Sequence, residues 1–271
     1  MSHFIDSNNF EIAYYYESED KNKPLVLFLH GFSDTYKTFA HIYQIDSQNR
    51  NFRFAGFDFP GCGSSSSKDD IMLEQYKQTT NDFLKQVLTE EKNIIVVSHS
   101  LGAYSALSVN ENSKIKKTLL IAPINEFLND QDNARNLNFW LLPNNIEECI
   151  QSYINLFSEI TEKTKSVANW FCQKRASSFK YYQKRFKRMV NEQITNKSFL
   201  QNTIAKLYQN ASNVNILSGQ NDNYVSPLGI EKVSQKYNIK ANIIPQKGHA
   251  FIFESKEIVF EELQRMVSEI K

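Results

Sequence analysis

Short apolar runs, each bounded by polar or turn-forming residues, alternate along the chain with stretches of helical periodicity. A short continuous apolar run is typical of a strand buried on both faces of a parallel sheet. Apolar residues spaced three or four apart predict sheet-covering helices over residues 35–45, 72–91 and 254–270. The alternation of the two patterns predicts an α/β fold. The strand candidates are residues 25–29, 52–58, 93–97, 117–123, 214–217 and 240–245.

The beginning of the chain has a different pattern. Phe4-Ile5 and the run from Phe10 to Tyr16 flank the turn-forming residues Asp6 to Asn9. The second run alternates in the way that suits a half-exposed antiparallel strand. We therefore predict a mostly parallel sheet that begins with an antiparallel hairpin.

The strand candidate at 93–97 leads into a turn of small residues, Ser98-His99-Ser100-Leu101-Gly102. This turn differs by one residue from Gly-x-Ser-x-Gly, the nucleophile elbow, in which strained backbone projects a serine hydroxyl from the sheet. The outer two positions must be small because strand and helix nearly touch there. Ser98 replaces the first glycine and Gly102 keeps the second. An ordinary serine-rich turn between a strand and a helix would also give this pattern.

Order along the chain favours the catalytic interpretation. Asp222 lies in a turn after the apolar run at 214–217, and Gly248-His249 follows the run at 240–245. Serine, aspartate and then histidine is the chain order of α/β-hydrolases. We expect these three side chains to meet at one edge of the sheet.

Two more motifs make a family resemblance specific. His30-Gly31-Phe32 directly follows a strand candidate and is similar to the oxyanion loop of α/β-hydrolases. The segment from Asp58 to Ser64 resembles the loop after the next strand of the same superfamily. Over roughly Pro24 to Pro123 and Val214 to Lys271, the chain thus resembles the serine esterase/lipase-like branch of the α/β-hydrolase superfamily, with a helical cap.

The resemblance implies a fold and a domain organisation. The expected fold is the α/β-hydrolase fold, a mostly parallel eight-stranded sheet with helices on both faces and a helical cap inserted after strand 6. Residues 1–123 and 208–271 would form the hydrolase core. Residues 124–207, which are dense in aromatic side chains and contain no convincing strand, would form the cap or lid domain.

The resemblance also implies catalytic roles. Ser100 would be the nucleophile, His249 the base and Asp222 the acid that orients the imidazole. The backbone amides of Phe32 and Leu101 would form the oxyanion hole.

Two carboxylates other than Asp222 are considered for the role of the triad acid. Glu126 is the alternative, because a minority of these folds place the acid after the preceding strand. Asp58 is better interpreted as a carboxylate that stabilises its own turn.

The substrate pocket is expected to involve His30, Gly31, His99, Trp140 and Tyr224. His30 is also expected to hold the oxyanion loop by hydrogen bonds. Substrate choice would depend on the cap, whose aromatic residues also fit a simple hydrophobic core for that domain.

A basic stretch lies within the expected cap. Lys174 to Arg188 contains seven positive charges, interleaved aromatic residues and no acidic residue. It fits contact with an anionic membrane surface or attraction of an acidic substrate. The interpretation that we favour is a solvated helix face whose long side chains cover apolar neighbours.

Composition narrows the function classes. A formal charge of +1 over 271 residues argues against nucleic acid as a partner. Cys62, Cys149 and Cys172 lack metal-ligand spacing, and we expect them to be buried thiols and not disulfides or metal ligands. Met1 to Asp6 lacks the features of a signal peptide, and no apolar run could span a membrane, so we expect a cytoplasmic protein. We expect the protein to be a monomer or a homodimer.

These observations predict a serine hydrolase that needs no metal or organic cofactor. The expected substrate is a small ester, either a short or medium acyl ester or a monoacylglycerol-like lipid. The same triad would serve thioester or C–C bond hydrolysis. A proline-iminopeptidase-like activity would need a carboxylate cage, for which Glu147, Glu148, Glu159 and Glu162 are candidates. A non-catalytic binding protein with this fold is the alternative from another class.

Overall fold

Eight strands form one sheet in the computed structural model, which describes residues 3–45 and 49–270. The strand order is β1-β2-β4-β3-β5-β6-β7-β8. β1 and β2 form the antiparallel hairpin, β2 joins β4 antiparallel, and all other neighbours are parallel. The strands are β1 His3–Ser7, β2 Phe10–Tyr16, β3 Leu25–Leu29, β4 Arg53–Phe57, β5 Ile94–His99, β6 Ile115–Ile121, β7 Val214–Gly219 and β8 Lys240–Ile244.

Helices pack on both faces of this sheet. The α-helices are α1 Ala40–Tyr43, α2 Leu73–Gln86, α3 Gly102–Ser108, α4 Leu137–Leu141, α5 Ile146–Ile154, α6 Glu162–Arg175, α7 Phe179–Met189, α8 Lys197–Phe199, α9 Ala205–Gln209, α10 Pro227–Tyr237, α11 Phe251–Glu254 and α12 Lys256–Ser268. The predicted α/β-hydrolase architecture, with an eight-stranded, mostly parallel sheet covered on both faces, is confirmed. Met1, Ser2 and Lys271, at the ends of the predicted core, lie outside the described residues.

The apolar strands are buried on both faces, which explains their unbroken hydrophobic runs. In β3, Leu25, Leu27 and Leu29 belong to one core cluster, with side chains of α2, α3 and α10. Val26 and Phe28 belong to the second cluster, with side chains of α11 and α12. The sheet therefore separates two hydrophobic cores and holds its loops at fixed positions.

The chain between β6 and β7, residues 122–213, carries helices α4 to α9 and no strand among its residues, all of which are described. We call this segment the helical insertion. Side-chain caps begin α5 and α6: Asn145 accepts a hydrogen bond from the Glu148 amide, and Thr161 accepts one from the Thr164 amide. These caps place α5 and α6 as separate helices that pack against each other.

The expectation of three free thiols is wrong for two of them. Cys149 of α5 and Cys172 of α6 form a disulfide, because the packing of the two helices brings their Cα atoms to 5.7 Å. That pairing depends on tertiary contact between helices and leaves no signal in the cysteine spacing. Cys62 is a buried thiol, as predicted, and burial raises its pKa to about 12.

None of the helices in the described ranges combines the length and the apolar character needed to cross a lipid bilayer.

Candidate active site

The predicted site residues follow strands whose carboxyl ends lie at the same edge of the sheet. Ser100 directly follows β5, and Phe32 lies three residues beyond β3. Asp222 and His249 follow β7 and β8, the last two strands. In an open α/β sheet, the crevice outside the carboxyl ends of parallel strands is the usual ligand site.

The turn at Ser100 has the strained geometry that the sequence predicts. Ser100 has a φ of +51°, in the left-handed region that non-glycine residues seldom adopt. A Cβ atom at Gly102 would lie 2.6 Å from the carbonyl oxygens of both Leu29 and His30. Only glycine fits so close to the β3 backbone, and the nearby packing holds the serine in its strained conformation.

Three side chains meet at this turn. His249 Nε2 lies 2.9 Å from Ser100 Oγ, and His249 Nδ1 lies 2.8 Å from Asp222 Oδ2. The other carboxylate oxygen of Asp222 accepts hydrogen bonds from the amides of Tyr224 and Val225, each at 2.8 Å. Asp222 is thus fixed by its own loop, and its free oxygen orients the imidazole. This arrangement can transfer a proton from the hydroxyl to the imidazole.

Two aromatic neighbours confine His249. Tyr224 stacks against it with ring centroids 4.9 Å apart, and the Tyr224 hydroxyl donates to the carbonyl of Ser152. On another side, His99 donates from Nε2 to the carbonyl oxygen of His249. Burial, together with the neighbouring His249, lowers the pKa of His99 to about 3, so His99 is neutral at physiological pH.

Two backbone amides near Ser100 have no acceptor within the described residues. They belong to Phe32, after β3, and Leu101, directly before α3. The neighbouring backbone is fixed, because the Ser100 amide donates to Ile121 and the Ser100 carbonyl accepts from Ala103 and Ile124. Free amides in a rigid turn are suited to binding an oxyanion.

A cavity of about 460 Å³ opens beside Ser100 and extends under the helical insertion. Gly31, His99, Trp140 and Tyr224, all predicted to contact substrate, line it. Most other lining residues are apolar and come from the helical insertion, between the start of α4 and the end of α7. They include Leu141, Tyr153, Leu156, Phe157, Val167, Trp170, Phe171, Phe179 and Tyr182. A smaller cavity of about 30 Å³, lined by aliphatic and aromatic side chains, lies on another side of Ser100.

The prediction that His30 contacts substrate is wrong. His30 is fully buried and does not line the cavity. Its Nδ1 donates to the Gly31 carbonyl and its Nε2 accepts from the Phe59 amide, and burial lowers its pKa. The ring therefore joins two loops behind the cavity wall, which is the hydrogen-bonding role that was also expected of it.

The two other carboxylates weighed as the acid lie elsewhere. Glu126 is buried against α10, where it accepts hydrogen bonds from Lys236 and Tyr237. Asp58 accepts from the amides of Tyr36 and Ser64, which makes it a turn-stabilising residue. Neither makes a hydrogen bond to His249, so Asp222 is the carboxylate that the fold brings to the imidazole.

Sequence reasoning missed Glu254, which fixes the loop that carries His249. Its carboxylate accepts from the Gly248 amide on one oxygen and from the amide and hydroxyl of Ser158 on the other. The Ala250 amide also donates to the Leu156 carbonyl. The histidine loop is therefore tied to the helical insertion. No motif at Glu254 indicates this role, because the contact depends on where α5 ends.

The basic stretch divides between surface and interior. Lys174, Lys180, Lys184, Lys187 and Arg188 are exposed. In contrast, Arg185 donates to the Gly61 carbonyl and Arg175 lines the cavity. The buried aromatic residues Phe179 and Phe186 face the interior, so α7 is largely a solvated basic helix over an apolar face.

Among the described residues, no group of three or more histidine, cysteine, aspartate or glutamate side chains is arranged to hold a metal ion.

Comparison with known proteins identifies a matching family and two similar proteins. The model of the alpha/beta hydrolase family matches residues 26–262. Two proteins named "Putative esterase/lipase 2" are similar over nearly their whole lengths. That of Mycoplasma pneumoniae is 27% identical over 259 residues, covering 90% of this chain and 89% of the relative. That of Mycoplasma genitalium is 26% identical over 262 residues, covering 93% and 91%.

Solved structures share the fold. A serine hydrolase from the polyaromatic-hydrocarbon-degrading bacterium Cycloclasticus zankles superposes with a TM-score of 0.76 at 14% identity. The superposition covers 100% of this chain and 98% of that one.

Proposed function

Since the chain belongs to the alpha/beta hydrolase family, we propose that it is a serine hydrolase that cleaves carboxylic esters through an acyl-enzyme on Ser100. The observation that carries this proposal is the continuous hydrogen-bonded chain from Ser100 through His249 to Asp222. A serine hydroxyl alone is a weak nucleophile at neutral pH, and a hydrogen-bonded imidazole supplies the missing base.

Each group then has a defined step. Ser100 Oγ attacks the ester carbonyl carbon while its proton passes to His249 Nε2. The amides of Phe32 and Leu101 stabilise the negative oxygen of the tetrahedral intermediate; losing one such donor typically slows a reaction by about a hundredfold or more. The bond from carbon to the alcohol oxygen breaks, and His249 returns the proton to the leaving alcohol. Water, activated by the same imidazole, releases the acid and restores the serine.

The largely apolar cavity supports an ester whose acyl or alcohol chain is mainly apolar. Its volume, about 460 Å³, suits a short or medium acyl ester or a monoacylglycerol-like lipid. The names of the Mycoplasma relatives agree with ester or lipid hydrolysis. Glu147, Glu148, Glu159 and Glu162 do not line the cavity, which removes the support for an amino-terminal carboxylate cage.

Labelling with a fluorophosphonate probe tests the nucleophile. We expect one label per chain for the wild type and none for Ser100→Ala, with Ser105→Ala, at a buried serine on α3, as the labelled control. An unlabelled, folded wild type would favour a non-catalytic binding protein.

A substrate panel then tests the bond that is cleaved. p-Nitrophenyl esters from acetyl to decanoyl, an acyl thioester series and a proline amide would be compared by kcat/KM. We expect the highest values for esters. A thioester or the proline amide turned over at least a hundredfold faster than the esters would overturn the choice of ester while leaving the triad assignment intact.

We extend the proposal to the surface. The exposed lysines of the basic stretch lie near Tyr181 and Trp170, which are 66% and 59% exposed, and this combination supports contact with an anionic membrane. Sedimentation with phosphatidylglycerol vesicles at 50 and 500 mM salt is the test. Binding at low salt that is lost at high salt supports the contact, and equal sedimentation with neutral vesicles contradicts it.

A further inference from the structure

Arg175 brings a positive charge into the cavity beside Ser100. It is the last residue of α6, and it lines the cavity together with apolar side chains of α5 to α7. Asp34 is the carboxylate among the described lining residues, and its Oδ1 accepts a hydrogen bond from the amide of Thr35. Arg175 is half-buried, and a guanidinium that faces a largely apolar cavity needs an explanation, because a charge among apolar groups is unfavourable unless it is paired.

The contacts of Arg175 leave it without a carboxylate partner. Its Cζ lies 5.1 Å from the ring centroids of both Phe171 and Tyr182, and Nη2 donates to Ser33 Oγ at 3.2 Å. No carboxylate oxygen of the described residues lies within 4.0 Å of its guanidinium. Four other arginines each have such a partner: Arg50, Arg53, Arg188 and Arg265.

The rings and the serine fix the guanidinium while leaving donors unused. A guanidinium has five N–H donors in a planar fork, and the structure gives this one a single acceptor. The free donors match the two oxygens of a carboxylate. Because the guanidinium already packs over the Phe171 and Tyr182 rings, little conformational entropy would be lost when an anion binds.

Backbone geometry connects this charge to the reaction centre. Ser33 directly follows Phe32, whose amide we assign to the oxyanion hole, and Ser33 has a φ of +57°. This left-handed conformation is unusual for serine, and here it accompanies a hydroxyl that accepts the Arg175 hydrogen bond. An anion held by Arg175 would therefore lie near the ester carbonyl that Ser100 attacks.

We propose that Arg175 binds a carboxylate carried by the ester substrate, on its acyl or its alcohol part. One guanidinium neutralises one negative charge, which suits a carboxylate. A doubly charged phosphate would retain excess charge in an apolar cavity that Asp34 also lines. The inference rests on the proposed ester hydrolysis and specifies its substrate as a carboxylated ester.

Matched substrate pairs test the inference. For the acyl side, p-nitrophenyl hydrogen adipate is compared with p-nitrophenyl 6-methylheptanoate, in which an isopropyl group replaces the carboxylate. For the alcohol side, 4-acetoxybenzoate is compared with 4-isopropylphenyl acetate. We expect Arg175→Gln to lower kcat/KM for the carboxylated member of at least one pair by roughly 10- to 100-fold, mainly through KM. The neutral member should change less than about threefold.

Two further variants sharpen the result. Arg175→Lys keeps the charge and loses the planar fork, so we expect an intermediate loss for the carboxylated ester. Lys180→Gln removes an exposed positive charge of the same basic stretch and should leave both members of each pair unchanged.

The outcomes separate the two proposals. If the wild type hydrolyses neutral esters but Arg175→Gln affects both members of each pair equally, the carboxylate site is wrong and ester hydrolysis stands. If the wild type hydrolyses none of the four esters, the proposed function fails, and the inference fails with it. A phosphorylated ester, such as an acetyl ester of 4-hydroxyphenyl phosphate, provides the last comparison. If Arg175→Gln lowers its kcat/KM more than that of the carboxylated esters, Arg175 binds a phosphate and the inference is contradicted.

Discussion

His99 Nε2 lies 2.9 Å from the backbone carbonyl oxygen of His249 and donates a hydrogen bond to it. The residue that precedes the elbow serine thus holds the loop that carries the imidazole. Its other nitrogen, Nδ1, is buried without a partner in the described residues, as fits an unprotonated nitrogen. In the proposed mechanism, a neutral His99 avoids placing a second positive charge next to His249 when that imidazole takes the serine proton.

This neutrality predicts an acid-dependent loss of stability. The pKa of His99 is about 3 in the folded protein and about 6.5 in an unfolded chain, so between these values the unfolded state holds one more proton. The contribution of unprotonated His99 to the free energy of unfolding is fully present above pH 6.5. It falls by about 1.4 kcal/mol per pH unit as the pH drops below that value. We expect His99→Gln, which keeps a donor but does not titrate, to show a shallower fall between pH 6 and pH 4.

Urea unfolding at half-unit pH steps measures this difference. His41→Gln, at an exposed histidine on α1, is the control for loss of a histidine elsewhere. Identical acid slopes for the wild type and His99→Gln would mean that His99 is not held neutral by burial.

Replacing the orienting carboxylate should separate catalysis from folding. Asp222→Asn retains an acceptor for the amides of Tyr224 and Val225 but favours the wrong imidazole tautomer. By analogy with serine proteases, we expect kcat to fall by roughly 10³- to 10⁴-fold. Steady-state kinetics with p-nitrophenyl acetate, together with a thermal melt, checks this.

Glu126→Gln is the comparison for the acid assignment. It removes the charge of the alternative carboxylate, which pairs with Lys236 and Tyr237. We expect Glu126→Gln to lower the melting temperature and to leave kcat nearly unchanged. A large loss of kcat in Glu126→Gln together with a small one in Asp222→Asn would reverse the assignment.

The sheet could be predicted from the sequence because each strand carries its own signal. β3 and β5 contain continuous apolar runs, β7 is apolar except for Asn215 before its small residues Ser218 and Gly219, and their predicted positions lie within about two residues of the observed ones. The loops that carry the candidate site residues could be predicted for the same reason. Ser100, Asp222 and His249 each follow such a run, so parallel topology alone brings them to one edge.

The helical insertion could not be predicted in the same way. The disulfide between Cys149 and Cys172, the support from Glu254 and the inward position of Arg175 all depend on how short helices pack over the cavity. A charge run such as 174–188 looks uniform in sequence. Which of its members face inward is decided by the tertiary contacts of α6 and α7, and these have no local motif.

The elbow glycine provides a test of backbone packing. In Gly102→Ala, the added methyl group would lie 2.6 Å from two backbone carbonyl oxygens of β3, which cannot rotate away. We expect a destabilisation of about 1–3 kcal/mol and a fall in kcat as the elbow shifts.

Gly229→Ala is the matched control for this substitution. Gly229 lies in helix α10, where alanine is favoured over glycine. The nearest atom to its added methyl group would be Asn125 Oδ1, at an ordinary contact distance of 3.4 Å. We expect unchanged or slightly higher stability, by up to about 1 kcal/mol. Thermal melts of the two variants that shifted equally would contradict the close packing at Gly102.

The disulfide predicts a redox-dependent stability of the helical insertion. Cys149 and Cys172 are separated by 23 residues, and closing a loop of this size stabilises a fold by about 3 kcal/mol in the chain-entropy model. We expect dithiothreitol to lower the melting temperature of the wild type, and a double variant, Cys149→Ala with Cys172→Ala, to melt at the reduced value with or without it. Cys62→Ala, which removes the buried free thiol, should keep the response to dithiothreitol. Thiol titration in denaturant without reductant gives the direct measurement: one reactive thiol per chain is expected, and three would show that the two cysteines are not joined.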